Sequence, residues 1–324
     1  MKILVTGGAG FIGSHIVDNL VSNGHDVVVI DDFSNGYIQN LNGEAVFYRD
    51  SIEDMQRLSE IFKKEKPEIV NHHAAQSSIP VSMKDPFFDA TKNILGSLNL
   101  LECCREFNVK KLIYANTGGA IYGQVEEDRL PIVEEEKIQP ISNYGVSKQA
   151  VENYLYLYKK NYELDYVSLR YGNVYGPRQN PYGKGESGVI PLIIRKVLND
   201  ESPILYNDGY QTRDFVYIKD VVSANYFAMF GKLSGNYNVG KGTETSIRKV
   251  LNAIMKKMGS KIAPIFEEKR ETRPWEVRRF RLSTEKIYED CGWIASYTIK
   301  KGINETVDWF LREYDNRNNR KASE

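Results

Sequence analysis

Apolar residues arrive in two rhythms along this chain of 324 residues. Short runs such as Ile3-Leu4-Val5 and Val27-Val28-Val29-Ile30 are apolar without alternation, as strands covered on both faces require. Between them, apolar positions recur at helical spacing. The pattern predicts strands at 2–6, 26–30, 44–48, 68–71, 110–115 and 165–170, with helices at 11–23, 53–64, 83–107 and 144–162. That alternation calls for an α/β architecture, a doubly wound parallel sheet with helices on both faces. After residue 172 the texture changes. Gly176, Pro177, Pro181, Gly183, Gly185 and Gly188 mark a long loop of the kind that carries function, and Tyr237-Asn238-Val239 reads as a return to the sheet. The expected organisation is a first domain over 1–172, rejoined by 214–240, and a smaller α/β C-terminal substrate-binding lobe over 173–213 and 241–324. No internal repeat is visible, and the polar tail from Arg312 is expected to fray.

The first strand runs directly into Thr6-Gly7-Gly8-Ala9-Gly10-Phe11-Ile12-Gly13 and then into a helix. Gly7 and Gly10 let backbone approach a pyrophosphate at the helix N-terminus, and Gly13 lets helix and strand pack closely, as in a Rossmann-type turn. About twenty residues on, Asp31 and Asp32 close the second strand. A carboxylate there accepts from ribose hydroxyls and repels a 2′-phosphate, so the expected cofactor is NAD rather than NADP.

Composition narrows the setting. The 43 basic and 43 acidic residues cancel, which favours neither nucleic acid nor another polyanion as partner. Cys103, Cys104 and Cys291 make no disulfide framework, and His15, His25, His72 and His73 show no metal-ligand spacing. No apolar stretch approaches the ~20 residues that span a bilayer. Strand one begins at once, leaving no room for a signal peptide, so a cytoplasmic setting is expected. The helices at 83–107 and 144–162 carry more apolar and aromatic positions than one core stripe uses, among them Phe87, Phe88, Tyr154 and Tyr156, and a homodimer is expected.

Candidate chemistry lies in Tyr144-Gly145-Val146-Ser147-Lys148. Positions i and i+4 share a helix face, so phenol and ammonium can enter one cleft. The cation is expected to pull the phenol below its ordinary ~10 and make it a general base, while Lys148 also holds the nicotinamide ribose.

With these motifs the chain resembles the extended short-chain dehydrogenase/reductase family and, within it, the UDP-galactose 4-epimerases, from the glycine turn to Arg273-Pro274. The resemblance implies tight NAD binding by Gly7, Gly10, Phe11, Ile12, Gly13, Asp31, Asp32, Asn35 and Gly36. It extends to Asp50 and Ser51 beside adenine, to Ala74, Ala75 and Gln76, and to Asn93, Tyr144, Lys148 and Tyr171. The family's catalytic hydroxyl would fall on Gly118 in Ala115-Asn116-Thr117-Gly118-Gly119-Ala120-Ile121-Tyr122-Gly123. Thr117 is therefore expected to take that role through a bulge beside the glycines, the alternative being Tyr144 alone with help from Asn116. Related dehydratases and decarboxylases carry acids where Gly119 and Ala120 stand, which points away from them.

The same resemblance implies substrate contacts from Thr117, Tyr144, Asn173, Val189 and Ile190. It places Tyr206 against uracil, Arg213 and Arg273 on the diphosphate, and Glu276 at the uridine ribose. Phe280 would crowd a 2-acetamido group and favour UDP-glucose and UDP-galactose. Rival readings are 4-epimerisation of UDP-glucuronate or UDP-GlcNAc, a reductase step, and a non-catalytic NAD-sensing protein.

Overall fold

A computed structural model describes residues 1–181, 188–268 and 277–322, with side chains as far as residue 316. The first half alternates β1 (Lys2–Thr6), α1 (Phe11–Ser22), β2 (Asp26–Ile30), β3 (Val46–Tyr48), α2 (Met55–Glu65) and β4 (Ile69–His72). Next come α3 (Ile79–Lys84), α4 (Pro86–Ala90), α5 (Gly96–Glu106), β5 (Lys111–Thr117), α6 (Gly118–Ile121), α7 (Asn143–Tyr162) and β6 (Asp165–Tyr171). The remainder is β7 (Asn173–Tyr175), α8 (Val189–Leu198), β8 (Ile204–Tyr206), β9 (Thr212–Tyr217), α9 (Ile218–Phe230) and β10 (Gly235–Val239). It ends with β11 (Glu244–Ser246), α10 (Ile247–Met258), β12 (Ile265–Glu267), α11 (Glu285–Cys291) and α12 (Ile299–Ala322).

Seven strands form one parallel sheet in the order β10-β6-β5-β4-β1-β2-β3. Strand period two sends neighbours to opposite faces. Ile3, Val5, Val27 and Val29 pack with Val221, Ala224 and Ala228 of α9. Leu4, Val28 and Ile30 pack with Leu58 and Phe62 of α2 and Leu100 of α5. Each such side chain contributes roughly 1.5–3 kcal/mol when fully buried, so a strand covered on both faces has no polar side to spare. Cys103 and Cys104 are buried here, and burial pushes the Cys103 thiol up to about 12.

β1 pairs with β2 on one side and β4 on the other, which makes the gap between β1 and β4 the point where strand order reverses. Ligands of open α/β sheets bind at the carboxyl ends of strands flanking such a point. Above it sits a smaller body, with a three-stranded sheet (β11-β9-β7), a two-stranded sheet (β12-β8), and α8, α10 and α12 around Ile194, Val250 and Val307.

The expected helix over 83–107 is interrupted. Pro86 forces Asp85 to φ −136°, and the Asp85 carboxylate accepts from Phe88 N at 2.9 Å to cap the next piece. A π-turn over Thr91–Leu95 then separates α4 from α5. Among the described residues no helix is long and apolar enough to cross a membrane.

Candidate functional site

Gly7 leaves β1 with φ +69°, and a Cβ there would stand 2.7 Å from Ala74 N at the end of β4. Gly10 is the N-cap of α1 and offers no side chain to the first N–H groups of that helix. Those donors, with the positive end of the helix dipole, face the turn and suit an anion. Two adjoining cavities of about 280 and 370 Å³ share Gly7, Gly10, Asn35, His73, Ala75 and Gln76. The larger is lined also by Asp31, Asp32, Gly36, Asp50, Ser51 and Ala74; the smaller takes in Phe11, Ile12, Gly13, Tyr144, Lys148 and Tyr171. A glycine cradle without a competing side chain, a bare helix N-terminus and acids at the far end fit a dinucleotide.

The two acids differ. Asp31 is buried and accepts from Ala9 N at 2.9 Å and Phe33 N at 2.8 Å, and burial holds its carboxyl above the ordinary value. Asp32 is also pushed up by burial, but bonds from Ser34 and the Lys92 ammonium, 3.3 Å away, outweigh that and leave it below the usual range. Asn93 stands behind Gln76 rather than in either cavity lining. Its amide oxygen accepts from Gln76 N and its amide nitrogen donates to Gln76 O, each at 2.9 Å.

α7 begins with Ser142 accepting from Gly145 N at 3.1 Å, while Tyr144 N donates to Ser82 Oγ at 3.1 Å. Gly145 is required by the approach of α6: a Cβ would lie 2.4 Å from Ala120 O. This fixes Tyr144 and Lys148 on the face turned to the smaller cavity. Lys148 Nζ donates to Ala115 O at 2.9 Å and lies 4.6 Å from the Tyr114 ring centroid and 5.8 Å from that of Tyr144. The expected depression of the phenol is not what the chain's own groups produce. Burial, then the Asp89 charge, pushes Tyr144 upward, and burial pulls Lys148 down to about 7. Desolvation is the larger cause for both groups.

Thr117 is the last residue of β5, opposite Tyr171, and no bulge re-aims it. It caps α6 instead, Oγ1 accepting from Ala120 N at 3.2 Å. Asn116 lines the smaller cavity, but its amide is engaged, donating to Glu152 at 2.7 Å and Ser168 at 3.1 Å within a buried network closed by the Glu152–Arg170 ion pair. Tyr171 accepts from Asn225 Nδ2 at 2.8 Å and lies 3.3 Å from His73 Nε2.

A third cavity, of about 680 Å³, meets the smaller cofactor cavity at Gln179 and Gly188. It is lined by Asn173, Val189, Ile190, Tyr206 and Arg213, which places these sequence candidates together. Arg273 and Glu276 lie outside the described residues. Phe280 is 2% exposed in a small core with Ile121, Tyr122, Ile132 and Leu282. Leu282 in turn lies against Gly118, so Phe280 stands behind the Thr117 segment.

Sequence reasoning missed His73, Arg178, Gln179 and Asn180 in the smaller cavity, and Lys92 in the larger. His73, adjacent to Ala74, could have been found from its place at the end of β4. It also missed Asp89, for which the i, i+4 spacing to Asn93 was the available signal.

The model of the NAD dependent epimerase/dehydratase family matches residues 3–240. A UDP-glucose 4-epimerase of Mycolicibacterium smegmatis is 38% identical, with 96% of this chain and 98% of that one covered. The structure of a UDP-glucose 4-epimerase from Thermotoga maritima with UDP-glucose superimposes with a TM-score of 0.92 at 41% identity, over 97% of this chain and 99% of that one. One from Thermus thermophilus in complex with NAD gives 0.89 at 42% identity, over 96% and 99%.

Proposed function

This chain belongs to the NAD-dependent epimerase/dehydratase family, and from that premise we propose that it interconverts UDP-glucose and UDP-galactose by inverting C4 of the hexose. The observation that carries the reading is the junction of two cavities. One holds the glycine turn with Tyr144 and Lys148, and the other holds Arg213 and Tyr206. Bound NAD would supply a reversible hydride acceptor for C4. The cradle of Gly7, Gly10 and the α1 N-terminus would hold its pyrophosphate, with Asp31 and Asp32 available to its adenosine ribose. Tyr144 takes the C4 hydroxyl proton as the 4-keto sugar forms and gives it back on reduction. Lys148 would hold the nicotinamide ribose beside the phenol. Thr117 orients the C4 hydroxyl.

Gly119 and Ala120 offer no carboxyl to protonate a leaving group, so the keto sugar is re-reduced rather than dehydrated. Arg213 and Arg273 fork onto the diphosphate, Tyr206 packs on uracil, Glu276 accepts from the uridine ribose, and Asn173, Val189 and Ile190 line the nucleotide's path. Gripping UDP leaves the hexose free to turn and offer its other face. Phe280, packed behind Thr117, limits room near C2 and favours the unacetylated sugars.

The functional unit of this reading is a homodimer. Phe87 is 85% exposed and Leu95 54% exposed beside α5, and Tyr156 of α7 is 57% exposed, a concentration that a monomer leaves in water. Static light scattering at micromolar concentration is expected to give twice the chain mass, and a monomer mass refutes this part.

For the activity, NMR of UDP-galactose with purified protein is expected to show UDP-glucose growing to equilibrium without NADH accumulating. Conversion of UDP-GlcNAc or UDP-glucuronate with none of UDP-galactose would overturn the substrate assignment, and stoichiometric NADH would overturn the recycling scheme.

A further inference from the structure

We propose that Asp89 is a positioning residue that ties the helix bearing Tyr144 and Lys148 to the wall of the cofactor cleft and sets a carboxyl group beside that pair. The proposal rests on the reading of Tyr144 as the proton acceptor. Asp89 sits on α4 and is wholly buried. Its Oδ1 accepts from Gln76 Nε2 at 2.8 Å and Asn93 Nδ2 at 3.0 Å, and its Oδ2 accepts from Ser147 Oγ at 2.6 Å. That last bond joins Asp89 directly to the helix that carries Tyr144 and Lys148. Gln76 lines both cofactor cavities, and Ser147 lies between Tyr144 and Lys148 on α7. One carboxylate therefore joins both halves of the site.

Glu152, one turn beyond Lys148, is engaged by Arg170, Asn116 and Ser168. Tyr114 of β5 presents its ring to Lys148, and His72 and His73 at the end of β4 are held neutral by burial. His72 is further fixed between Thr6 Oγ1 at 2.7 Å and Ser97 Oγ at 2.9 Å. Asp89 raises the affinity of both Tyr144 and Lys148 for protons, against the pull of burial in the case of the lysine.

Asp89→Asn removes the charge at nearly constant volume, whereas Ser147→Ala cuts the tether and keeps the charge. Both variants are compared with wild type in the NAD-loaded protein. Tyrosinate formation by ultraviolet absorbance, taken as the difference from Tyr144→Phe, reads Tyr144 without turnover, and kcat against pH reads it during turnover. Asp89→Asn is expected to move both midpoints down by about one pH unit. Ser147→Ala is expected to leave them in place and lower kcat about tenfold, with KM for UDP-galactose unchanged. Unmoved midpoints in Asp89→Asn, or an equal movement in Ser147→Ala, overturn the electrostatic role. Full kcat in Ser147→Ala overturns the tether, and this arm stands even if Asp89→Asn does not fold. Failure of the functional reading would appear separately, as wild-type protein that does not convert UDP-galactose while its tyrosinate titration still reports on Asp89.

Discussion

Replacing Gly13 by alanine puts a single methyl where the glycine turn and α1 meet. That Cβ would stand 2.2 Å from Gly7 O, 2.8 Å from Gly7 C and 3.0 Å from Gly8 Cα, all backbone atoms without a rotamer to escape into. Unstrained heavy-atom contacts need about 3.5 Å, so helix and turn must part by roughly 1 Å. The Gly7 carbonyl cannot yield freely, because it accepts from Gly10 N at 3.0 Å and shapes the turn. Overpacking of this kind costs about 1–3 kcal/mol, and weakening that hydrogen bond adds about 1 kcal/mol, giving a loss of roughly 2–4 kcal/mol. Since each 1.4 kcal/mol is about a factor of ten in affinity, the share falling on the turn should lower NAD affinity at least about tenfold. Urea unfolding measures the first quantity, and NAD retained after gel filtration, followed by titration back, measures the second. Gly43→Ala is the control, since nothing lies within 4 Å of its added Cβ, and it should stay within about 0.5 kcal/mol of wild type. A Gly13→Ala protein with the wild-type urea midpoint and NAD content would refute the argument that this contact holds the cradle.

Tyr144→Phe keeps the ring and removes the proton carrier, so kcat for UDP-galactose conversion should fall about 10²–10⁴-fold while bound NAD is retained; loss of NAD without loss of kcat would contradict it. Glu152→Gln leaves Arg170 as an uncompensated buried charge, and urea unfolding should register a loss of about 3–5 kcal/mol, unlike a surface ion pair. Lys148 is pulled down to about 7, well below the ordinary lysine value, so between those two pKa values the unfolded chain binds the extra proton. Stability from this group therefore rises with pH across that window and is absent below it. The wild-type minus Lys148→Met difference in unfolding free energy should climb from neutral to alkaline pH, and a flat difference would show that the ammonium is not desolvated.

Much of this molecule was readable in its chain because the signals are local. A short apolar run without alternation, bounded by turn residues, reads as a strand covered twice, and a strand that ends in Gly7, Gly10 and Gly13 before a helix points to a phosphate cradle. The i, i+4 placement of Tyr144 and Lys148 follows from helix geometry alone. Where the reading went astray, partners distant in sequence decided. The single helix expected over 83–107 ignored Pro86, and the π-turn over Thr91–Leu95 holds Asn93, whose amide oxygen accepts from Gln76 N, a partner outside that stretch. Thr117 was expected on a bulge; its carboxyl-side neighbours instead begin a helix that it caps.

The chain by itself determined the alternation of strands and helices, the dinucleotide turn and the placement of Tyr144 and Lys148 on one helix face, because each is set by residues within a few turns of one another. Only the tertiary structure decided the direction in which burial shifts Tyr144 and Lys148, the engagement of the Asn116 amide in the Glu152–Arg170 network and the convergence of Gln76, Asn93 and Ser147 on Asp89. Desolvation and buried charge depend on everything that surrounds a group, and those surroundings come from segments of the chain that no local pattern brings together.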